Sequence, residues 1–560
     1  MEFCCWGWDR QRAYDLFPGE QPLPFSLPSP LPQWPQGEGF GKGRICLGEI
    51  EVIQITQFEK VWSIKSSFGK SNSVTFYQPV DVPKGFSVLG HYCQLDGKQL
   101  SGYVLAARDC SGCIAGSNLP PLEKPLSYTL VWTADASSCT GSGYIWLPNA
   151  PDGYKPMGFL VTIEPDEPDL EDAICVRADL TEPADACALI FTTSKTIFNK
   201  KQFQVWTTRP GKRGVDCKGV SVGTFFCGTS ADDLSIACLK NLDSTLHAMP
   251  NLDQIHALIQ HYGPTVYFHP NEVYLPSSVP WFFKSGALLY KDGNDIGTAI
   301  DPAGANLPAG GKNDREFWID LPYDEEKRNI VKFGNIESAK LYVHVKPALG
   351  GTYADIVMWV FCPFNGPATL KVGLMSYDMN RIGEHVGDWE HYTLRVSNFS
   401  GVLWSMYFSE HSGGEWLPAG ELEFISGNKP VVYSSRNGHA SFPHPGCYIQ
   451  GSSVLGIGAR NDCDQSKYSV DSSSKYEIVA AEYLGEGVVA EPHWLQFMRE
   501  WGPRVEYDSA SELDKIINHL PFYVRFSVES LFELFPTELY GEEGPTGPKE
   551  KDNWLGDERC

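Results

Sequence analysis

The clearest apolar runs in the second half of the chain are short. They are Thr265-Val-Tyr-Phe-His269, Ser338 to Val345, Asp355-Ile-Val-Met-Trp-Val-Phe361 and Val402 to Phe408. Each is bounded by Gly, Pro or Asn, the pattern of an antiparallel β-sandwich or barrel. Alternation from Trp389 to Val396 predicts a further strand. Period two puts Asp388, Glu390, Tyr392, Leu394 and Val396 on one face, and Trp389, His391, Thr393 and Arg395 on the other. A short helix precedes these strands: Asn251 caps it with Gln254 as capping-box partner, and the run from Leu252 stops at Gly263-Pro264. Ser509-Ala-Ser-Glu512 reads as a second capping box, in a region broken at Pro521. Asn294 to Asp314, rich in Gly, Ala, Pro and Asn, reads as a long mobile loop.

The first half carries an internal repeat. Pro83-Lys-Gly85-Phe86-Ser-Val-Leu89-Gly90 is echoed 68 residues later by Pro151-Asp-Gly153-Tyr154-Lys-Pro-Met157-Gly158. Aromatic strand residues precede both, at Phe76-Tyr77 and at Tyr144-Ile-Trp146. A third, degenerate copy begins at Phe203-Gln-Val205-Trp206 and runs through Arg209-Pro210 to Gly223. A strand, a Pro/Gly turn and an aromatic under the next strand cannot bury a face alone, so three such units predict a pseudo-threefold β-prism. The expected organisation is therefore a Pro-rich tail over 1–44, a β-prism-like interaction domain over 45–240, a β-sandwich over 251–535 and a polar tail over 536–560. The tail assignment at the start rests on Pro18, Pro22, Pro24, Pro28, Pro30, Pro32 and Pro35, which favour extended chain.

Composition narrows the function classes. Over 560 residues, 42% hydrophobic and 20% charged positions are globular values, with 13% aromatic residues, 54 Gly and 40 Pro leaning towards strands and turns. A net charge of −24 argues against nucleic-acid binding, which needs a basic face. The N-terminus has no basic and apolar signal regions, and no run is long enough for a membrane-spanning helix. The 16 cysteines follow no disulfide framework and are read as reduced thiols in a cytoplasmic protein. Cys110-Ser-Gly-Cys113 is a lone C-x-x-C, read as two turn cysteines. Cys4 and Cys5, beside Trp6 and Trp8, are candidate lipidation sites giving a reversible peripheral membrane tether.

One segment, Tyr377-Asp-Met-Asn-Arg-Ile-Gly383-Glu-His385-Val-Gly387-Asp388-Trp-Glu390-His391, can carry chemistry. Asp388 and Glu390 share a face whose far end is apolar, so their repulsion at the mouth of a core calls for a cation or strong donors. Gly383 and Gly387 let His385 fold back over that mouth. An imidazole with two or three carboxylates suits Mg²⁺, Ca²⁺ or Mn²⁺ better than a closed structural zinc site, with Ca²⁺ or Mg²⁺ foremost. Asp378 and His439 are further candidate metal ligands, and His444 a weaker one. The alternative is a surface turn whose acids pair with Arg381 or Arg436.

These strings resemble the family named after vacuolar protein sorting-associated protein 62, greatly expanded in plants. The resemblance rests on Tyr262-Gly-Pro264 with Phe268-His-Pro270, Tyr274-Leu-Pro-Ser-Ser-Val279 with Trp281-Phe-Phe283, Gly383 to His391, Trp501-Gly-Pro503 and Gly541 to Lys549. The core His385-x-x-Asp388-Trp389-Glu390 is also similar to the heptapeptide of the necrosis- and ethylene-inducing cytolysins. That resemblance implies an actinoporin-like antiparallel β-sandwich with a few peripheral helices, a divalent cation on His385, Asp388 and Glu390, and a sphingolipid headgroup as ligand. Asp378 would be a fourth ligand, displaced by one position, and Gly387 stands where those toxins carry a second histidine. The first-half repeat resembles the adaptor-binding repeats of large lipid-transfer sorting proteins and the membrane-attack-associated β-prisms. The combined expectation is a non-enzymatic trafficking protein that binds a lipid or glycan headgroup through a cation, and protein partners through its first domain. Two alternatives stand beside it: a metal-dependent hydrolase or lyase with Glu384 or His391 as base, and a scaffold with a vestigial motif.

Overall fold

The computed structural model describes residues 23–64, 73–111, 119–134, 141–193, 202–379, 381–411, 413–452, 457–504 and 544–559. Cys4, Cys5, Cys113 and the capping box at Ser509 lie outside them. The fold is mostly β, in several largely antiparallel sheets.

The repeat folds as a threefold device. Three antiparallel meanders recur in the same order: Phe58–Ile64, Val74–Pro79 and Tyr92–Leu95; then Ser127–Ala134, Gly143–Asn149 and Leu160–Thr162; then Thr181–Thr192, Gln204–Pro210 and Phe225–Gly228. The three units pool one core, with Trp62 and Phe76, Ile145 and Phe159, and Val205 and Phe225. Equivalent points of the repeats meet at its centre. A Cβ on Gly90 would lie 2.8 Å from Gly158 Cα and 2.9 Å from Thr224 Cγ2, so no side chain fits there. Thr224 takes the third position and ties the units together, its hydroxyl donating to Met157 O at 2.6 Å.

The second half is built on a six-stranded sheet. Its order is Gly413–Pro418, Leu403–Glu410, His385–Ser397, Tyr353–Asn365, Leu341–Ala348 and Tyr476–Ala480, with the last pair parallel. One face packs on a second sheet containing Lys429–Ser434, Thr265–Phe268 and Ser469–Asp471. Ile356, Met358, Tyr392, Leu394 and Val396 from the first sheet meet Val266, Phe268, Val432 and Val470 from the second. The helix Leu252–Tyr262 closes this core with Ile255, Leu258 and Ile259, and its Asn251–Gln254 capping box is formed as the sequence predicts.

The opposite face of the main sheet is also covered, so the element is a filled layer between two cores. Trp359, Phe361 and Trp389 pack there against Phe282 and Phe283 of the helix Val279–Lys284, and against Trp494, Trp501 and Trp554. The strand alternation of 388–396 is thus correct, but its second face is as dry as its first.

Three segments depart from their expected character. The Pro-rich stretch is not a free tail where it is described: Phe25, Leu27, Leu31 and Trp34 pack on the sandwich core, Trp34 Nε1 donates to Ser400 O at 3.1 Å, and Ser29 and Asn428 exchange two hydrogen bonds of 2.8 Å. Proline removes backbone donors but leaves an extended ribbon able to seat spaced apolar side chains. The segment 294–314 opens as the strand Asn294–Ala299 and is tied down by Gly310, which donates to Gln496 O at 2.7 Å. The carboxy-terminal residues 544–559 dock across the outer core. Trp554 is 3% exposed and stacks on His344 with ring centroids 3.9 Å apart. Asp557 and Glu558 are drawn in by buried bases: Arg395 Nη2 donates to Asp557 at 3.2 Å, and His391 lies 3.0 Å from Glu558.

Replacing Trp554 with Ala should lower the stability of the second half by about 3–5 kcal/mol, the usual cost of emptying a large buried aromatic site. Urea unfolding followed by tryptophan fluorescence checks this, and an unchanged midpoint would show that the segment contributes nothing to the core.

Candidate functional site

Strand His385–Ser397 emerges from the sandwich at its acidic end. Gly387 has φ +68°, a left-handed conformation that breaks the two-residue alternation just before Asp388. A Cβ there would also lie 2.4 Å from Trp501 O, so glycine is required twice over. The kink folds the His385 ring back on its own strand, where Nδ1–H donates to Gly387 O at 3.2 Å. Burial pushes the His385 pKa down, with the nearby Asp388 charge opposing, so the ring is neutral at pH 7. Its Nε2 therefore carries a free lone pair, beside a backbone carbonyl that fixes the tautomer, the arrangement usual for ligating histidines.

Asp388 is buried and bonded to His439, whose Nδ1–H donates to Oδ2 at 2.8 Å. The other His439 nitrogen donates to Tyr274 O at 2.8 Å. A carbonyl and a carboxylate can only accept, so both ring nitrogens bear protons and His439 is an imidazolium. Burial disfavours that charge, and the Cys362 sulfur, Asp388 and Glu272 act the other way, so its pKa stands well above the ordinary value. Cys362 itself is pushed up to about 11 by burial, and is a neutral thiol at pH 7. The Asp388 carboxylate, seconded by Glu272 at 3.8 Å from Nε2, is then what holds the proton. Burial would raise Asp388, but the bond from His439 and the charges of His439 and Lys551 outweigh it and lower its pKa.

His439 sits in a turn of unusual backbone. Asn437 and His439 both have left-handed φ, +67° and +52°, each costing of order 1–3 kcal/mol for such residues. Several bonds over-determine the turn: Glu272 accepts from Asn437 N at 2.6 Å, and Asn437 Nδ2 donates to Pro367 O at 2.9 Å. Glu272 also accepts from Val273 N and Tyr274 N at 2.9 and 2.8 Å.

Glu390, on the same face as Asp388, is half-buried and accepts from Ser409 Oγ at 2.8 Å. Burial raises its pKa, and the Asp388 charge adds to the effect, while His411 and Lys551 oppose it. Among the described residues, Asp388 Oδ1 and Glu390 Oε1 accept no hydrogen bond. Asp388 and Glu390 thus share one face of the strand that His385 opens, whereas the ligand atoms that lie within 4.8 Å of one another among the described residues are those of Cys362, Asp388 and His439.

The other expected ligands are placed differently. His439 spends both nitrogens and serves as the counter-ion of Asp388, because its imidazolium has no lone pair to give. Asp378 is exposed on Met375–Asp378, the edge strand of a separate four-stranded sheet, where it accepts from Thr369 at 3.2 Å. His444 is exposed beyond Ser441–Phe442. His391 lies on the opposite sheet face against Trp359 and Glu558, which removes it as a base for this mouth. Groups that sequence reasoning missed are Glu272, Cys362, Ser409, His411 and Lys551. Cys362 was readable in retrospect from the ladder, since it pairs directly with Asp388, and its sulfur lies within 4.8 Å of the Asp388 and His439 ligand atoms.

The pair makes a pH prediction. His439 has a raised folded pKa, so its contribution is complete below its unfolded value of about 6.5 and is lost as pH rises through the folded one. Asp388 has a lowered folded pKa, so its contribution is present above about 3.9 and is lost on acidification through the folded value. Unfolding free energy should therefore be greatest between these limits and decline above about pH 6.5. Asp388→Asn should cost about 3–5 kcal/mol by stranding a buried cation, and should flatten the alkaline decline. Urea titrations from pH 5 to pH 9 test both, and an unaltered alkaline limb in the variant would refute the pairing.

Comparison with known proteins places the chain. The family model described as vacuolar protein sorting-associated protein 62 matches residues 21–558. Two Saccharomyces cerevisiae proteins are similar over part of their length. "Putative vacuolar protein sorting-associated protein TDA6" is 24% identical over 296 residues, 44% of this chain and 60% of that protein. "Vacuolar protein sorting-associated protein 62" is 23% identical over 265 residues, 40% of this chain and 54% of that protein. The matched region thus spans little more than half the length of these curated relatives. Solved structures with partial likeness include GNIP1Aa from Chromobacterium piscinae, at 17% identity over 34% of this chain and 37% of that one, TM-score 0.28. Another is Necrosis and Ethylene inducing Protein 2 from the causal agent of cocoa's Witches Broom disease, at 12% identity over 41% and 74%, TM-score 0.20. On a family match running from residue 21 to residue 558, the chain belongs to the family of vacuolar protein sorting-associated protein 62.

Proposed function

We propose that the chain is a peripheral, non-enzymatic trafficking protein that recognises a lipid or glycan headgroup through a divalent cation held by Asp388, Glu390 and His385. What supports this reading is that Asp388 and Glu390 share one face of the strand opened by His385, and that each acid keeps one oxygen without a hydrogen bond among the described residues. Such a set suits an oxygen-preferring ion that keeps open positions for phosphate or sugar oxygens. The cation would also let a chain of net charge −24 approach an anionic surface. Family membership supports the trafficking role, and the threefold prism offers a rigid surface for protein partners.

No helix among the described residues is long and apolar enough to cross a membrane.

The test uses the full chain, Ca²⁺ or Mg²⁺, and vesicles containing anionic phospholipid or glycosylated sphingolipid. Chelator should lower the melting temperature of the second half, and vesicle co-sedimentation should require the ion. Glu390→Gln keeps the shape and the Ser409 bond, so it should reduce ion-dependent sedimentation by about tenfold or more without unfolding the chain. Indifference of both melting and sedimentation to chelator would sink the cation reading. Turnover of the bound lipid or glycan, lost in Glu390→Gln, would replace it with the hydrolase.

A further inference from the structure

Two thiols far from this site meet in the amino-terminal half. Cys46 ends the strand Arg44–Cys46, and Cys110 follows directly on Val104–Asp109. These strands lie on opposite sides of Ile50–Ile55. Two strand spacings would hold in-plane sulfurs roughly 9–10 Å apart. The turn between the first two strands removes that separation. Gly48 takes φ +112°, Leu47 N donates to Ile50 O at 2.8 Å, and Cys110 N donates to Glu49 O at 2.9 Å, which lays Cys110 across the open side of the turn.

Both thiols then donate to one acceptor. Cys46 Sγ and Cys110 Sγ each lie 3.3 Å from Gly48 O, and the sulfurs are 3.9 Å from one another. A disulfide bond is about 2.05 Å long, so side-chain rotation has only some 2 Å of sulfur travel left to supply. Both cysteines are partly exposed, within reach of a small reagent, whereas Cys93, Cys175, Cys227 and Cys238 are buried and burial pushes their thiols up. Cys46 also lines an open groove of about 600 Å³, together with Lys42, Arg44, Phe86 and His247.

We propose that Cys46 and Cys110 form a reversible disulfide, a thiol modification site in the wall of this groove, with a low-molecular-weight disulfide such as oxidised glutathione as the oxidant. One protein thiol loses its proton and attacks the reagent, whose S–S bond breaks to release one reagent thiolate. The second protein thiol, deprotonated in turn, attacks the protein sulfur of the mixed disulfide and expels the second reagent thiolate. The protein pair is oxidised by two electrons, the reagent is reduced to two thiols, and the protons balance. The bond fastens the turn at Gly48 to the end of Val104–Asp109, so the wall that carries Cys46 is fixed in the oxidised state and free to adjust in the reduced one.

The experiment exposes the folded full chain to a series of glutathione redox ratios, then alkylates, digests and identifies linked peptides by mass spectrometry. A Cys46–Cys110 linkage should accumulate with oxidised glutathione, vanish with dithiothreitol, be lost in Cys46→Ser and Cys110→Ser, and survive in Cys113→Ser. Melting curves of the serine variants confirm that they remain folded. Full alkylation of Cys46 and Cys110 at ratios that oxidise other cysteines would overturn the proposal. A Cys110–Cys113 linkage, or glutathione retained on either sulfur without a cross-link, would overturn it equally.

Discussion

The ladder between Tyr353–Asn365 and His385–Ser397 has no solvent side, and most of the second half follows from that. Every residue from Tyr353 to Asn365 is buried. Ile356, Met358, Val360 and Cys362 enter one core, and Val357, Trp359 and Phe361 the other. A slip of one residue would exchange both sets at once, so the register is fixed from two sides. The same burial makes an unpartnered charge on either strand costly. Arg395 grips Asp355 with bonds of 2.8 and 2.7 Å, His391 takes Glu558, and Asp388 takes His439. At Asp388 and Glu390 the apolar face runs out, and one oxygen of each acid accepts no hydrogen bond among the described residues.

What could be read from the sequence was local. The helix from Leu252 declared itself through its capping box, and the faces of 388–396 through period-two alternation. The repeat was legible because Gly90 and Gly158 answer a steric demand at the prism centre that no larger residue meets. The third copy was faint for a reason now visible: Thr224 fills the equivalent position with a side chain that bonds Met157 O. The two segments expected as tails hid their packing because their partners are distant. Phe25 and Trp34 are too widely spaced among prolines to form a periodic run, and Asp557 and Glu558 look like a soluble end until Arg395 and His391 are placed beneath them.

The site divides along the same line. The placement of His385, Asp388 and Glu390 on one strand was legible from the period-two alternation. Asp378 shares their sequence neighbourhood but not their space, since a hairpin turn carries it into another sheet. His439, expected as a metal ligand, lies beside Asp388 and Cys362, with its ring nitrogens engaged by Asp388 and Tyr274 O. Sequence gives residue type, whereas ligation depends on which nitrogens are already spent, and Tyr274 O takes the second one. Glu272 and Lys551 approach from remote parts of the chain and left no local signal.

Two donor sets share Asp388, and protons decide between them. Ligation by Cys362, Asp388 and His439 would suit a softer ion such as zinc. It must first remove the proton of a thiol held at about 11 and a proton from an imidazolium stabilised by its carboxylate. Both losses count against affinity at neutral pH, since metal binding competes with the protons it displaces. Ligation by His385, Asp388 and Glu390 starts from a neutral ring and an ionised Asp388, and faces at most the single proton that burial favours on Glu390. The His439 imidazolium anchors one oxygen of Asp388 and leaves the other without a hydrogen bond among the described residues. On that balance the outer residues would lose fewer protons to a cation than Cys362 and His439, whose ligand atoms lie within 4.8 Å of one another and of Asp388.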